Sequence, residues 1–210
     1  LVCLLGVSGA GKTTLFHALS GLEQPEAGRV LLSGEDITGR PGKISYMLQK
    51  DLLLPHKKVA DNVALPLVLR GEKALGYFAQ FGLEGTGDKY PAQLSGGMRQ
   101  RAALLRTFLG SQGVVLLDEP FSALDALTKR EIHRWYMGMM DQLKLTTLFI
   151  THDIDEAILL SDRIYILAGS PGCIAAELTI QPSRPRTVDF ALSGVFLDYK
   201  KQILSLLGQS

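Results

Sequence analysis

Gly6-Val-Ser-Gly-Ala-Gly-Lys-Thr13 limits the folds open to this chain more than any other stretch. It matches the phosphate-binding-loop pattern. It also stands between the apolar run Val2–Leu5 and a helical stretch from about Lys12 to Leu19, the strand–loop–helix setting that the pattern needs. Gly9 and Gly11 allow backbone conformations that other residues resist, so successive N–H groups can point into one concavity. That concavity and the following helix N-terminus together bind phosphate oxygens, with Gly6, Ser8 and Ala10 completing the loop. Lys12 brings a point charge to the β- and γ-phosphates, Thr13 offers its hydroxyl to Mg²⁺, and Thr14 reaches the α-phosphate side. Two Gly, a Lys and a Ser or Thr coincide at these spacings in only about one per cent of chains this long, so the match is read as a nucleotide site. Taken alone it does not separate a kinase, a GTPase and a transport motor.

Val114-Val-Leu-Leu-Asp118-Glu119-Pro120 reads as a buried strand ending in two acids. An Asp at the C-terminal end of a strand lies at the edge where open α/β sheets bind ligands, and Asp118 suits Mg²⁺ held through water. Glu119 points elsewhere, being one residue further on, and can polarise an attacking water as general base. Without the phosphate loop, the pair would read equally well as two solvated acids in a turn.

The 210 residues are 46% hydrophobic, enough for one large domain with a lobe inserted in it. Net charge is +1, which predicts no strong field for nucleic acid or anionic membrane. Apolar runs such as Val114–Leu117 and Leu148–Ile150 fall far short of the roughly 20 residues needed to cross a bilayer. No signal-peptide pattern is read here, so if the protein works at a membrane, another chain is expected to do the spanning. Cys3 and Cys173 lack metal-ligand spacing and read as two small buried strand residues in a reducing compartment. The chain opens at Leu1 inside an apolar run and reads as a piece whose natural start lies upstream.

Further strands are expected at Arg29–Ser33, Lys43–Leu48, Thr147–Ile150, Arg163–Leu167 and Ile174–Leu178. Between Asp51 and Gly110 the pattern turns helical, broken by Pro and Gly. The expected class is α/β: a mostly parallel sheet core with an inserted helical subdomain. The boundaries read as residues 1–50 and 111–180 for the core, 51–110 for the helical part, and 181–210 for a connector and terminal helix. In that last helix Leu192, Val195, Phe196, Tyr199, Ile203 and Leu207 recur at helical spacing.

Leu94-Ser95-Gly96-Gly97-Met98-Arg99-Gln100-Arg101 resembles the signature motif of the ABC ATPase family. The resemblance covers nearly the whole chain in order. Gln49 matches the Q-loop, Asp125 in Ser122-Ala-Leu-Asp125 the D-loop, and His152 the switch histidine. Taken singly, Gln49 would be a polar strand end and His152 a capping or surface residue. The family implies a P-loop NTPase, RecA-like core that hydrolyses ATP with Mg²⁺. It places Gln49, Glu119 and His152 in the catalytic set and Gln49 with Thr13 and Asp118 at the metal. It also implies that Ser95, Gly96 and Gly97 grip the ATP of a second copy in a head-to-tail dimer, with Asp125 at the shared interface. Met98 stands where the family most often has Gln, and the adenine-stacking aromatic is expected upstream of Leu1. The implied partners are transmembrane permease subunits and, indirectly, a substrate-binding protein, with no nucleic acid; the implied place is the cytoplasmic face of the membrane. Phe121–Thr128 and Thr151–Ile158 resemble the branch importing nitrate, sulfonates, taurine or pyrimidine precursors of thiamine. The alternative is a soluble ABC ATPase of DNA repair or translation, disfavoured by the lack of long coiled coils, of a second cassette and of a basic patch.

Overall fold

The structure, a computed structural model, describes residues 1–7, 9–68, 75–111, 113–122, 124–143, 145–169, 171–184 and 186–208, without the side chains of 75, 126, 127, 141–143 and 188. The chain opens with strand β1 (Val2–Gly6) and helix α1 (Lys12–Ser20). A small antiparallel hairpin follows, β2 (Leu31–Leu32) and β3 (Glu35–Asp36). Next come β4 (Ser45–Met47), α2 (Val59–Ala64) and α3 (Gly96–Gly110). Then β5 (Val114–Asp118), α4 (Ala126–Leu143), β6 (Thr146–Thr151), α5 (Ile154–Leu160) and β7 (Arg163–Ala168) alternate. Strand β8 (Cys173–Thr179), α6 (Val188–Ala191) and α7 (Gly194–Gly208) complete the chain.

The main sheet runs β4–β5–β6–β1–β7–β8, all neighbours parallel except the closing β7–β8 pair. Side chains alternate across it with the period of two that a pleated strand imposes. Cys3, Leu5, Val115, Leu117, Phe149, Ile164 and Ile166 face the larger core, which also takes Leu104, Tyr136, Ile158 and Ile203 from helices. Leu4, Leu116, Ile150 and Leu167 face the other side, where Phe16 of α1 is fully buried. Burying a Phe contributes about 1.5–3 kcal/mol, so α1 is held to the sheet chiefly by that one residue and its small cluster.

Parallel pairing has a direct consequence. The C-terminal ends of β1, β4, β5 and β6 lie at one edge, with Leu5 level with Thr151, Asp118 with Ile150 and Met47 with Leu117. The segments starting at Val7, Leu48, Glu119 and His152 therefore all leave the sheet from that edge.

Several expectations change. The Arg29–Ser33 strand shrinks to two residues because Ser33 (φ 52) and Gly34 (φ 88) form the positive-φ turn that closes a tight hairpin. Helix α3 begins on two glycines, Gly96 and Gly97. The first helical N–H groups need no partner within the helix, so glycines are tolerated there, and Ser95 caps the end by accepting from Met98 N at 3.2 Å. Cys3 is buried, but Cys173 is exposed because β8 is an edge strand. The terminal helix α7 starts only at Gly194, so Leu192 lies outside it and is exposed; within α7 Phe196 and Ile203 are buried, while Val195 stays exposed.

Between β4 and β5 the described residues hold helices and turns and no strand. Asn62, fully buried, organises the entry to this segment. It accepts from Leu54 N at 2.6 Å and donates to the carbonyls of Leu54, Lys57 and Lys58. Helix α3 holds the same entry from the other side: Arg99 donates to Asp51 Oδ2 at 3.2 Å, and Arg106 to the carbonyls of Leu52 and Asp51 at 2.8 and 2.5 Å.

Candidate functional site

The loop between β1 and α1 is shaped by Gly9 (φ 83) and Gly11 (φ 85), both in the left-handed region where a side chain is strained. Lys12, buried at the start of α1, folds back to donate to Gly6 O at 2.7 Å and Val7 O at 2.8 Å. Burial pulls the Lys12 pKa down, while the charges of Glu119 and Asp118 push it up. Ala10 is buried, Thr13 and Thr14 are exposed at the helix start, and Ser8 lies outside the described residues.

Thr13 donates its hydroxyl to Asp118 Oδ2 at 3.0 Å, joining the loop to the end of β5. Burial raises the Asp118 pKa, and hydrogen bonds from Thr13 and Tyr46 oppose the rise. Thr13 and Asp118 offer hard oxygen donors side by side, the chemistry Mg²⁺ prefers. Among the described residues no group of three His, Cys, Asp or Glu converges on a point, so a cation here would draw most of its shell from phosphate and water.

Glu119 turns away from that pair. Its φ of 45 is left-handed, a strain of about 1–3 kcal/mol for a non-glycine residue. The conformation is held from several sides. Glu119 N donates to Ile150 O at 3.0 Å, and Ser122 returns a hydroxyl bond to Glu119 O, also at 3.0 Å. The carboxylate lies between two expected partners: Gln49 Nε2 donates to Oε2 at 3.0 Å, and His152 Nδ1 lies 3.0 Å from Oε1. The structure thus gathers Gln49, Glu119 and His152 into one cluster beside the Thr13–Asp118 pair, from positions spread over a hundred residues of chain.

Ser95, Gly96 and Gly97 stand apart. Among the described residues no hydrogen bond or ion pair joins them to the Gly6–Thr14 loop. Ser95 and Gly96 are exposed, and a Cβ at Gly97 would come within 3.0 Å of Thr128 Cγ2. Thr128 bonds both carboxylate oxygens of Asp125, through its N at 3.1 Å and its hydroxyl at 2.6 Å. The starts of α3 and α4 are therefore in contact.

Sequence reading missed four supporting residues. Tyr46 donates to Asp118 Oδ2 at 3.2 Å and packs edge-on to Phe16; in sequence it is one more aromatic in a strand. Buried Gln100 donates to the Pro120 carbonyl, fixing the chain after Glu119 to α3. Lys129 bridges Asp153 Oδ2 at 2.9 Å and Glu156 Oε1 at 2.5 Å, tying α4 to the segment that carries His152. Glu156 is buried and also accepts from Thr151 at 2.6 Å, with His133 Nε2 3.4 Å away.

Burial pushes the Glu156 carboxyl up, but His133, Lys129 and Thr151 together hold it below its ordinary value of 4.5. A depressed carboxyl contributes stability that is present above its unfolded pKa and is lost as pH falls through its folded one. The fold is therefore expected to lose stability in acid below pH 4.5. Lys129→Met leaves the buried carboxylate without its lysine partner, and a loss of about 3 kcal/mol at neutral pH is expected in denaturant unfolding. An unchanged midpoint would show that the bridge carries no stability.

A phosphate loop after β1, an Asp at the end of β5 bonded to it and a positioned Glu beside that Asp make this a P-loop nucleoside triphosphatase. A family model described as ABC transporter matches residues 1–122. The formylaminopyrimidine import ATP-binding protein ThiZ of Halalkalibacterium halodurans is 44% identical over 196 residues, covering 90% of this chain and 76% of its own. The nitrate import ATP-binding protein NrtD of Synechocystis is 36% identical over 219 residues, covering 98% of this chain and 82% of its own. A dimeric, post-hydrolysis structure of the ATP-binding cassette MJ0796 bound to ADP and Pi superposes with a TM-score of 0.74 at 28% identity, covering 87% of this chain and 86% of that one. The chain belongs to the ABC transporter family and is one of its ATP-hydrolysing cassettes.

Proposed function

We propose that this cassette works as the motor of an importer, closing on ATP as a head-to-tail pair and driving a separate permease at the cytoplasmic face of the membrane. The observation that carries the coupling is the segment after β4. Its first residue with a site contact, Gln49, bonds Glu119, and its next turn is strapped to α3 by Arg99 and Arg106. Beyond those straps Leu52, His56 and Lys58 are exposed. A change at the Glu119 carboxylate thus has a short, continuous path to an exposed surface and to α3, the helix that Ser95 caps. No helix among the described residues is long and apolar enough to cross a membrane, which fits a subunit that docks on a spanning partner. The part from 51 to 110 would act as a lobe moving against the core of 1–50 and 111–180.

In the hydrolytic step Lys12 exchanges the Gly6 and Val7 carbonyls for β- and γ-phosphate oxygens. Glu119 takes a proton from the attacking water, and Gln49 orients both. His152, with Nδ1 turned to Glu119, leaves Nε2 for the γ-phosphate. Thr13, Asp118 and the Gln49 side-chain oxygen would hold Mg²⁺, which when bound neutralises charge on the phosphates. Ser95, Gly96 and Gly97 of the second copy would close over that ATP at a helix N-terminus. Relatives that import a pyrimidine precursor, nitrate and sulfonates favour a small solute of that range for this system.

Coupling is tested by cross-linking in the full-length assembly. Exposed Cys173 is first replaced by Ser, and a cysteine is then placed at Lys58, whose ion pair with Asp88 is exposed and of little worth to the fold. Lys58→Cys is expected to cross-link to the permease. Labelling confined to the motor subunit would count against docking on this segment.

A further inference from the structure

Away from the phosphate loop, α4 passes the C-terminal end of α5 and the connector that follows β8. Together they enclose a cavity of about 390 Å³, within the size range of small-molecule sites. Met137, Leu159 and Leu160 give it apolar walls, and Arg130, Arg134 and Arg186 surround them. No carboxylate is part of the lining.

The arginines are not arranged as a solvated surface usually is. Arg130 and Arg134 sit one turn apart on α4, a like-charge spacing that destabilises a helix. Neither has an ion-pair or hydrogen-bond partner among the described residues. Arg186 is fixed: it donates to the carbonyls of Ile158, Leu159 and Ser161 that close α5, and to those of Ile180 and Pro182. Its charge is therefore locked against the cavity wall, and burial lowers its pKa only to about 10.

Gly138 adds an independent observation. It lines the same cavity from within the 18-residue helix α4, where glycine weakens the helix relative to alanine. Its φ is not in the left-handed region, and a Cβ there would meet no heavy atom within 4 Å. Neither backbone conformation nor close packing asks for glycine at this place. What its missing side chain does is leave the cavity open.

We propose that this cavity binds a small amphipathic organic anion, its acid group held by Arg130 and Arg134 and its apolar body laid over Met137, Leu159 and Leu160. A neutral apolar ligand would strip water from two unpaired guanidinium groups with no compensating bond. An inorganic anion would leave the apolar walls uncovered. The proposal does not depend on coupling to a permease, so the two can fail separately.

The test uses two dyes of similar shape, anilinonaphthalene sulfonate and its neutral counterpart phenylnaphthylamine, titrated by fluorescence into the full-length protein. Saturable binding of the sulfonate is expected, about tenfold or more tighter than that of the neutral dye. Arg130→Gln with Arg134→Gln, both exposed and outside the core, should remove that preference and weaken the sulfonate by about tenfold. Gly138→Leu, which puts a better helix former into open space, should abolish sulfonate binding while circular dichroism and Tm stay at or above wild type. Absence of saturable sulfonate binding would overturn the proposal. So would equal affinity for the two dyes, or sulfonate binding unchanged in the arginine pair variant. If Gly138→Leu misfolds, the arginine pair variant and the dye comparison still decide the outcome.

Discussion

Replacing Glu119 by Gln should leave ATP bound and all but stop its turnover. The side chain keeps its size and can still lie between Gln49 and His152, each 3.0 Å from the carboxylate now. What is lost is a base for the attacking water, and general-base assistance is worth about 10²–10⁴-fold. Phosphate release by the full-length protein with its permease is therefore expected to fall by that factor, with ATP affinity within about threefold of wild type. Turnover within threefold of wild type would remove Glu119 from the role. The strained φ of 45 at this residue sharpens the expectation. Strain of that kind persists only where the surroundings over-determine it, and here its effect is to aim one carboxylate away from its neighbour Asp118.

The second large effect is expected at Lys12. Its ammonium is the buried cation of the loop and is already desolvated, with two carbonyls as its acceptors among the described residues. Charge-assisted hydrogen bonds contribute about 1.5–3 kcal/mol each, so Lys12→Ala should raise the ATP dissociation constant by about 10- to 100-fold in calorimetry. The fold should survive, because the carbonyls of Gly6 and Val7 can turn to water in the vacated space. Unchanged affinity would mean that the backbone of the loop holds phosphate alone.

The reasons for what was legible in the sequence differ from element to element. β1, the loop and α1 were plain because three signals coincide there: an apolar run, glycines at fixed spacing and a helical period. Asp118 and Glu119 were plain only beside the phosphate loop, because two acids after Val114–Leu117 would by themselves read as a solvated turn. Their different directions could be expected from adjacency, but the left-handed turn at Glu119 could not, since no glycine or asparagine marks it. Tyr46 was hidden because an aromatic in a strand is the ordinary β-former; only the parallel pairing of Met47 with Leu117 brings its hydroxyl to Asp118. Lys129 and Glu156 were hidden by distance along the chain, and a lone Lys on a helix reads as a solvated face. The reversed direction of β8 and the exposure of Cys173 were equally out of reach, because hydropathy carries no strand polarity. The Ser95–Gly97 run was recognisable, but its contact with Thr128 at the start of α4 depends on packing between helices that the pattern does not encode.

The most direct test of a site completed by a second copy mixes two variants that are inactive alone. Lys12→Ala weakens one subunit's phosphate loop but leaves its exposed Ser95 intact. Ser95→Arg blocks the other subunit's signature end but leaves its loop intact. A pair of the two contains one whole site, made from the second subunit's Lys12, Asp118 and Glu119 and the first subunit's Ser95 and Gly97. Full-length proteins are mixed in equal amounts with Mg²⁺ and ATP, and pairing by sedimentation and phosphate release are measured together. Pairing and release well above the sum of the separate variants are expected. Release equal to that sum, with both variants folded and assembled, would contradict the paired site and place all of the chemistry within one chain.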